Sequence, residues 1–257
     1  MSVARRPPAA GRVSRPAACG FAAALALAAA SAPALAGPPA GVPIARVTTT
    51  ARVIALSFDD GPQPTATLDS LLALMAARRV HATFFVIGEE LVRHPEIGRR
   101  LLAGGHELGN HTWTHPHLDS LSVDSMRAEL SRTDSLLRAI GTRGRILLRP
   151  PYGAFSDGVL RELRRRHRVT TLFDVDPAYD FPAASADSVV ERTLMWLGPG
   201  SILVMHPWYE NSDTVLVMLP RILDRLLGMG YRVTTVSELL KTRHAKFEPT
   251  LYHPTER

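Results

Sequence analysis

From Val53 onward the chain alternates short β-rich apolar runs with longer segments of helical period, and this alternation predicts a parallel sheet wrapped by helices. The candidate strands are Val53–Phe58, Ala82–Ile87, Glu107–Asn110, Ile146–Leu148, Val169–Phe173, Ser201–Met205 and Arg232–Val236. Most are continuous apolar runs, the pattern of strands covered on both faces. Between them, Leu68, Leu71, Leu72 and Met75 recur at helical spacing, as do Met126, Leu130, Leu137 and Ile140, and later Ile222, Leu223, Leu226 and Leu227. Ser122 and Asp213 are candidate N-caps, and Gly228 and Gly230 suit the end of the last of these helices. The expected fold is α/β, a distorted or incomplete (β/α) barrel of about seven parallel strands.

The 257 residues are 46% hydrophobic and 21% charged, a composition that excludes collagen-like, coiled-coil and disordered classes. A formal net charge of +6 invites a nucleic-acid partner until the charge is located. Arg5, Arg6, Arg12 and Arg15 precede an Ala/Leu-rich run, Ala17 to Ala30, and Ala34-Leu35-Ala36 offers a small-x-small cleavage site before Gly37. Residues 1–36 therefore read as a secretory signal peptide. The competing reading, an uncleaved anchor, needs about 20 apolar residues, and Pro33 interrupts a run that is already short. The leader holds four of the 30 basic residues and none of the 24 acidic ones, so the remainder carries only +2 and the case for nucleic acid disappears. The single cysteine, Cys19, also lies in the leader, so the rest of the chain needs no disulfide in an oxidising compartment. An exported protein, periplasmic or secreted and with no stable membrane span after cleavage, is the expectation. Residues 37–49 read as a Pro/Gly-rich spacer, 50–243 as the folded domain and 244–257 as a C-terminal tail. The Arg161–Arg168 cluster reads as a solvated helix face.

Polar and charged residues gather immediately after the candidate strands, the end at which barrel active sites are built. Ser57-Phe58-Asp59-Asp60-Gly61-Pro62 leaves the first strand. Asp-Gly-Pro alone is ordinary turn chemistry, but two successive acids are more than a turn requires. After the third strand, His111 and His115 are four residues apart, a spacing that puts both imidazoles on one face of a helical turn. With one carboxylate they make the three-ligand shell of an open zinc site, whereas alone they are equally consistent with hydrogen-bonded surface histidines. His106-Glu107 followed by His111 is one residue too long for the H-E-x-x-H of a metalloprotease. Arg149-Pro150-Pro151-Tyr152-Gly153 follows the fourth strand as a stiff turn, Asp174, Asp176 and Asp180 with Phe181 follow the fifth, and His206 ends the sixth.

Together these residues resemble the polysaccharide deacetylases of carbohydrate esterase family 4, the NodB-homology family, over about residues 50–240. Phe58-Asp59-Asp60-Gly61-Pro62 is similar to the first family motif, His111-Thr112-Trp113-Thr114-His115 to the second, Arg149-Pro150-Pro151-Tyr152 to the third and Leu203-Val204-Met205-His206 to the fifth. The fourth departs from the family pattern of Asp, two residues, Asp, Trp: three residues separate Asp176 from Asp180, and Phe181 stands where Trp is usual.

The resemblance implies that Asp60, His111 and His115 hold a divalent metal, with zinc favoured by the donor set over Co2+ or Ni2+. It further implies that Asp59 is the general base, that Arg149 orients it, and that the Tyr152 backbone N–H stabilises the oxyanion. His206 would protonate the leaving amine, supported by Asp180 or, failing that, Asp176. Leu203 would line the acetyl-methyl pocket, with Tyr152, Phe181 and Trp208 also facing substrate. The implied reaction removes acetyl groups from N-acetylated amino sugars of a polysaccharide, peptidoglycan ahead of chitin-type polymers. The competing expectations are an O-acetyl xylan esterase and a catalytically silent glycan binder.

Overall fold

The computed structural model describes Met1 and residues 38–177, 185–208 and 212–242. The strands are β1 (Pro43–Ile44), β2 (Val53–Phe58), β3 (Thr83–Val86), β4 (Glu107–Asn110), β5 (Thr170–Thr171), β6 (Ile202–Met205) and β7 (Arg232–Thr234). The helices are α1 (Leu68–Ala77), α2 (Gly88–Arg93), α3 (Pro95–Ala103), α4 (Val123–Ile140), α5 (Asp157–Arg165), α6 (Ala186–Trp196), α7 (Ser212–Gly228) and α8 (Val236–Leu240).

All strand pairs are parallel. The main sheet runs β4-β3-β2-β6, with β7 also on β2, and β1 pairs with β5. Single parallel bridges carry the curve onward: Asn110 to Leu148, Leu148 to Thr170, and Val175 to Leu203. The result is a distorted, incompletely paired α/β barrel.

Two expectations are corrected. Ile146–Leu148 forms no strand of its own and joins the strands only at the two isolated Leu148 bridges, although all three residues are buried. The segment read as a spacer belongs to the fold: Pro43-Ile44 pairs with β5, and Ile44, Ala45 and Val47 are buried. Its prolines and glycines mark turns around a short strand rather than a linker.

β2 is buried along its whole length, which explains its continuous apolar sequence. Phe58 and Phe84 stack across β2 and β3 at 4.8 Å, and α1, α3 and α7 cover this side of the sheet with Leu71, Met75, Leu101, Leu219 and Leu223. Each such side chain contributes roughly 1.5–3 kcal/mol on leaving water. α4 begins at Ser122, whose hydroxyl accepts the Ser125 N–H, and stops at Gly141 in the left-handed region, φ 117°. Its buried Met126, Leu130, Leu137 and Ile140 are the predicted stripe. Leu227 departs from its stripe and is exposed, and Asp213 lies in the first turn of α7 rather than capping it. Among the described residues, the core runs from Ile44 to Leu240.

Candidate active site

Asp59 and Asp60 leave β2, His111 leaves β4, Arg149 follows the Leu148 bridge and His206 leaves β6, so the topology brings five sequence-distant groups to one end of the barrel. Their side chains meet. Asp60 Oδ1 lies 3.3 Å from His111 Nε2 and 3.1 Å from His115 Nε2. The ligand atoms of these three residues all fall within 4.8 Å of one another.

His111 is fixed by its other nitrogen: Nδ1 lies 2.7 Å from the Arg149 carbonyl, which can only accept, so Nδ1 carries a proton and Nε2 is the nitrogen turned to Asp60. His115 Nδ1 is 3.1 Å from the Tyr152 hydroxyl, which again leaves Nε2 for the site. Burial works against the charge of Asp60, yet hydrogen bonds from the two imidazoles hold its carboxyl well below the usual carboxylate range. Burial likewise opposes protonation of His111, and the Asp59 and Asp60 carboxylates overcome it and raise its pKa. A carboxylate and two oriented imidazole nitrogens around one point form the donor set of a divalent metal with open positions, so these residues fit such an ion.

Asp59 is held apart from this set. Its Oδ1 accepts from Arg149 Nη1 at 2.6 Å, while Oδ2 lies 3.9 Å from His111 Nε2. Arg149 is almost fully buried; both of its terminal nitrogens are held, while its buried Nε has no hydrogen-bond partner among the described residues. Nη1 also donates to Ser57 Oγ at 2.9 Å, Nη2 donates to the Leu172 carbonyl at 2.9 Å, and the rings of Phe85 and Phe173 lie 4.1 and 5.5 Å from its Cζ. Burial lowers the Arg149 pKa, and the neighbouring Asp59 charge opposes that fall.

Four of these loop residues adopt left-handed backbone: Asp60 (φ 77°), Thr112 (69°), His115 (62°) and Tyr152 (57°). Non-glycine residues at such φ values cost roughly 1–2 kcal/mol each and persist only where the surroundings over-determine them. Here α4 supplies the restraint for the histidine loop. Glu129 Oε2 accepts the N–H groups of Trp113 and Thr114 at 2.7 and 2.8 Å, and Oε1 accepts the Thr114 hydroxyl at 2.9 Å. Arg132 lies over the Trp113 ring at 4.0 Å. Buried Asn110 donates to the Leu130 carbonyl and to Asp134, and accepts the Thr112 N–H. None of Glu129, Asn110, Asp134 or Ser57 was singled out in the sequence; only Ser57 and Asn110, which adjoin motifs, offered a signal.

Residues 174–176 run beside β6, where Asp174 N–H bonds the Ile202 carbonyl and Val204 N–H bonds the Val175 carbonyl. Asp174 and Asp176 therefore share a face at different heights. Asp174 is anchored on the Ile202 N–H and Ser201 hydroxyl, and burial pushes its carboxyl up to about 6. Asp176 is buried, with Oδ2 3.9 Å from His206 Nδ1. Asp180 and Phe181 lie outside the described residues.

Two substrate-facing expectations are met by different surroundings. Trp208 is only 4% exposed: it packs near Phe84 and over Gly61, where a β-carbon would come within 2.2 Å of the indole. With its faces covered, Trp208 is a core residue and not a sugar platform. Leu203 has no exposed surface and packs within the core cluster. Tyr152, by contrast, is 54% exposed, and its ring stacks on His117 at 4.1 Å and 9°. His106 sits at the opposite end of β4 from His111 and accepts the Ala82 N–H. Burial, with the nearby His81 charge, pushes it down to about 4.

The polysaccharide deacetylase family pattern matches residues 46–170. The chitooligosaccharide deacetylase of Sinorhizobium fredii is 35% identical over 206 residues, 76% of this chain and 95% of that protein. The chain belongs to the polysaccharide deacetylase family. A peptidoglycan-N-acetylglucosamine deacetylase of Bacillus cereus is 31% identical over 195 residues, covering 75% of this chain and 90% of the relative. The peptidoglycan-N-acetylmuramic acid deacetylase PdaC of Bacillus subtilis is 37% identical over 199 residues, covering 76% of this chain but spanning only 41% of PdaC. The solved structure of PdaC superposes with a TM-score of 0.64 at 35% identity, over 74% of this chain and 90% of the crystallised one.

Proposed function

We propose that this polysaccharide deacetylase hydrolyses the acetyl amide of N-acetylated amino sugars in a polymer outside the cytoplasm, releasing acetate and leaving a free amine. The supporting observation is the convergence of Asp60, His111 and His115 on one point, beside an Asp59 that Arg149 holds in place. Membership of the family supports the reaction class, and the leader-like residues 1–36 support export. Peptidoglycan ranks ahead of chitin-type oligomers because it is the polymer an exported bacterial-type deacetylase meets, and two of the three relatives above are named for it.

In this reading Asp60, His111 and His115 hold a zinc ion, the metal that two imidazoles and one carboxylate suit best. When bound, it supplies Lewis acidity to the acetyl carbonyl and to the attacking water. Asp59 takes the proton from that water at Oδ2, because Oδ1 is already tied to Arg149. The charged hydrogen bond fixes the rotation of the Asp59 carboxylate. The Tyr152 backbone N–H, presented by its left-handed turn, donates to the oxyanion, a contribution worth roughly 10²–10³ in rate. His206 gives a proton to the departing nitrogen, and Asp176 lies beside its ring, Oδ2 to Nδ1 at 3.9 Å.

Acetate release by the chain from Gly37 onward, measured on peptidoglycan, N-acetylated chito-oligosaccharides and acetylated xylan, tests this reading. Release from the first two supports it and ranks the polymers. Release from xylan alone would make the protein an ester hydrolase, and no release from a metal-loaded protein would make it a binder.

A further inference from the structure

The parallel strands share one direction and the helices between them return, so the C-termini of these helices gather at the end where strands begin. A helix dipole favours acids in the first turn and bases in the last, and these helices obey it: Asp124, Asp157 and Asp187 open α4, α5 and α6, while Arg138 and Arg164-Arg165 close α4 and α5. Loops that enter strands add Arg52, Arg79, Arg143, Arg145 and Arg232, all exposed. Among the described residues none of these five pairs with a carboxylate. Stacking the same rule around a barrel makes the strand-entry end cationic, opposite the carboxylate-bearing catalytic mouth.

The same end carries exposed apolar side chains. α6 and α7 lie side by side and parallel, with Asp187 paired to Arg221 and Glu191 to Arg225, and Met195 and Met229 each follow four residues later, at the C-terminal ends of the two helices. Met195 is 82%, Trp196 66% and Met229 43% exposed. Arg52 Nη1 donates to the Met229 carbonyl at 2.9 Å, so the apolar group is continuous with the arginines. The first described residues of the fold also lie here, where Gly41 N–H bonds the Arg168 carbonyl just before β5.

We propose that this end docks on the surface of an anionic lipid bilayer, arginines against headgroup phosphates and Met195, Trp196 and Met229 in the layer beneath, with the catalytic mouth facing away. A soluble polyanion would use the arginines but has nothing to offer an exposed tryptophan and two exposed methionines. A bilayer interface offers both, since Trp settles at headgroup depth and each arginine near an anionic surface gains about fivefold in partitioning.

The test is co-sedimentation of the chain from Gly37 onward, which keeps all of the described core, with three partners: phosphatidylglycerol–phosphatidylcholine vesicles, phosphatidylcholine vesicles, and soluble polyglutamate. The expected result is salt-sensitive binding to the anionic vesicles alone, with a blue shift of tryptophan emission that disappears in Trp196→Phe. Arg143→Gln with Arg145→Gln should weaken vesicle binding about fivefold per arginine, with acetate release from soluble oligosaccharides unchanged. Equal binding to neutral and anionic vesicles, or none to either, overturns the proposal. So does binding to polyglutamate as strong as to vesicles with no change in Trp196 emission, which would assign the surface to a soluble polyanion.

Discussion

The two ends of the barrel solve the same backbone problem with different residues. Loops entering strands must turn sharply, and their left-handed positions are mostly glycine: Gly105, Gly144, Gly200 and Gly230, with Arg79 and His167 as exceptions. At Gly200 a β-carbon would fall within 1.7 Å of the Val47 carbonyl oxygen, so no side chain fits. Loops leaving strands put Asp60, Thr112, His115 and Tyr152 in the same conformation. Glycine would relieve the strain there, but it could not ligate, accept a proton or wall a cleft. Where a turn only connects, the cheapest backbone is used; where it must also present a functional group, the side chain is kept and its neighbours hold the strain.

The largest effect should come from emptying the metal set. Asp60→Ala or His115→Ala is expected to bring acetate release to background and to cut metal content per chain, measured by elemental analysis. Chelation of the wild type should do the same reversibly, and full metal occupancy in either variant would dissolve the distinction between the two ends.

Next is the restraint itself. Glu129→Ala removes the three acceptor contacts that hold the loop between His111 and His115, and outer partners of metal ligands typically govern 10–100-fold in affinity. Metal titration should show a loss of that order, with Glu129→Gln recovering part of it. An unchanged affinity would mean that the strained loop holds itself. Asp176→Asn should lower kcat by about 100-fold at most with KM and metal content unchanged, because general-acid catalysis contributes roughly 10²–10⁴ and the His206 ring remains.

At the entry end, the effect expected of His106 concerns stability. His106 has a folded pKa near 4, below the ordinary value of about 6.5, so it is neutral in the fold and binds its proton more readily when unfolded. Its contribution is present above about pH 6.5 and fades as pH falls toward 4, by up to about 3 kcal/mol. The difference in melting temperature between wild type and His106→Gln should therefore shrink on acidification. A constant difference across that range would show that the ring titrates normally.

The strands with long apolar runs, β2 and β6, are legible in the sequence because burial on both faces leaves no polar alternation to misread. β1 is not, since two residues between prolines and glycines carry no periodicity and gain strand character only from pairing with β5. In the site, the residues that face one another across the barrel end are legible because each follows a strand in order. Glu129 is not, because it lies on the polar face of α4, where a carboxylate needs no explanation. Trp208 misleads for the converse reason: proximity to His206 suggests a sugar platform, and only the packing against Gly61 shows that its faces are covered. The sequence favours Asp180 over Asp176 because it directly precedes Phe181; Asp180 lies outside the described residues, and the pairing of residues 174–176 with β6 sets Asp176 beside His206.

The central claim is that one of two adjacent carboxylates works on the proton while the other holds the metal. Asp59→Asn tests it most directly, because the amide oxygen still accepts from buried Arg149 while the basic group is gone. The expected result is a 10²–10⁴-fold loss of acetate release from N-acetylated chito-oligosaccharides at unchanged metal content. Full activity in that variant, or loss of the metal along with activity, would contradict the division of labour between Asp59 and Asp60.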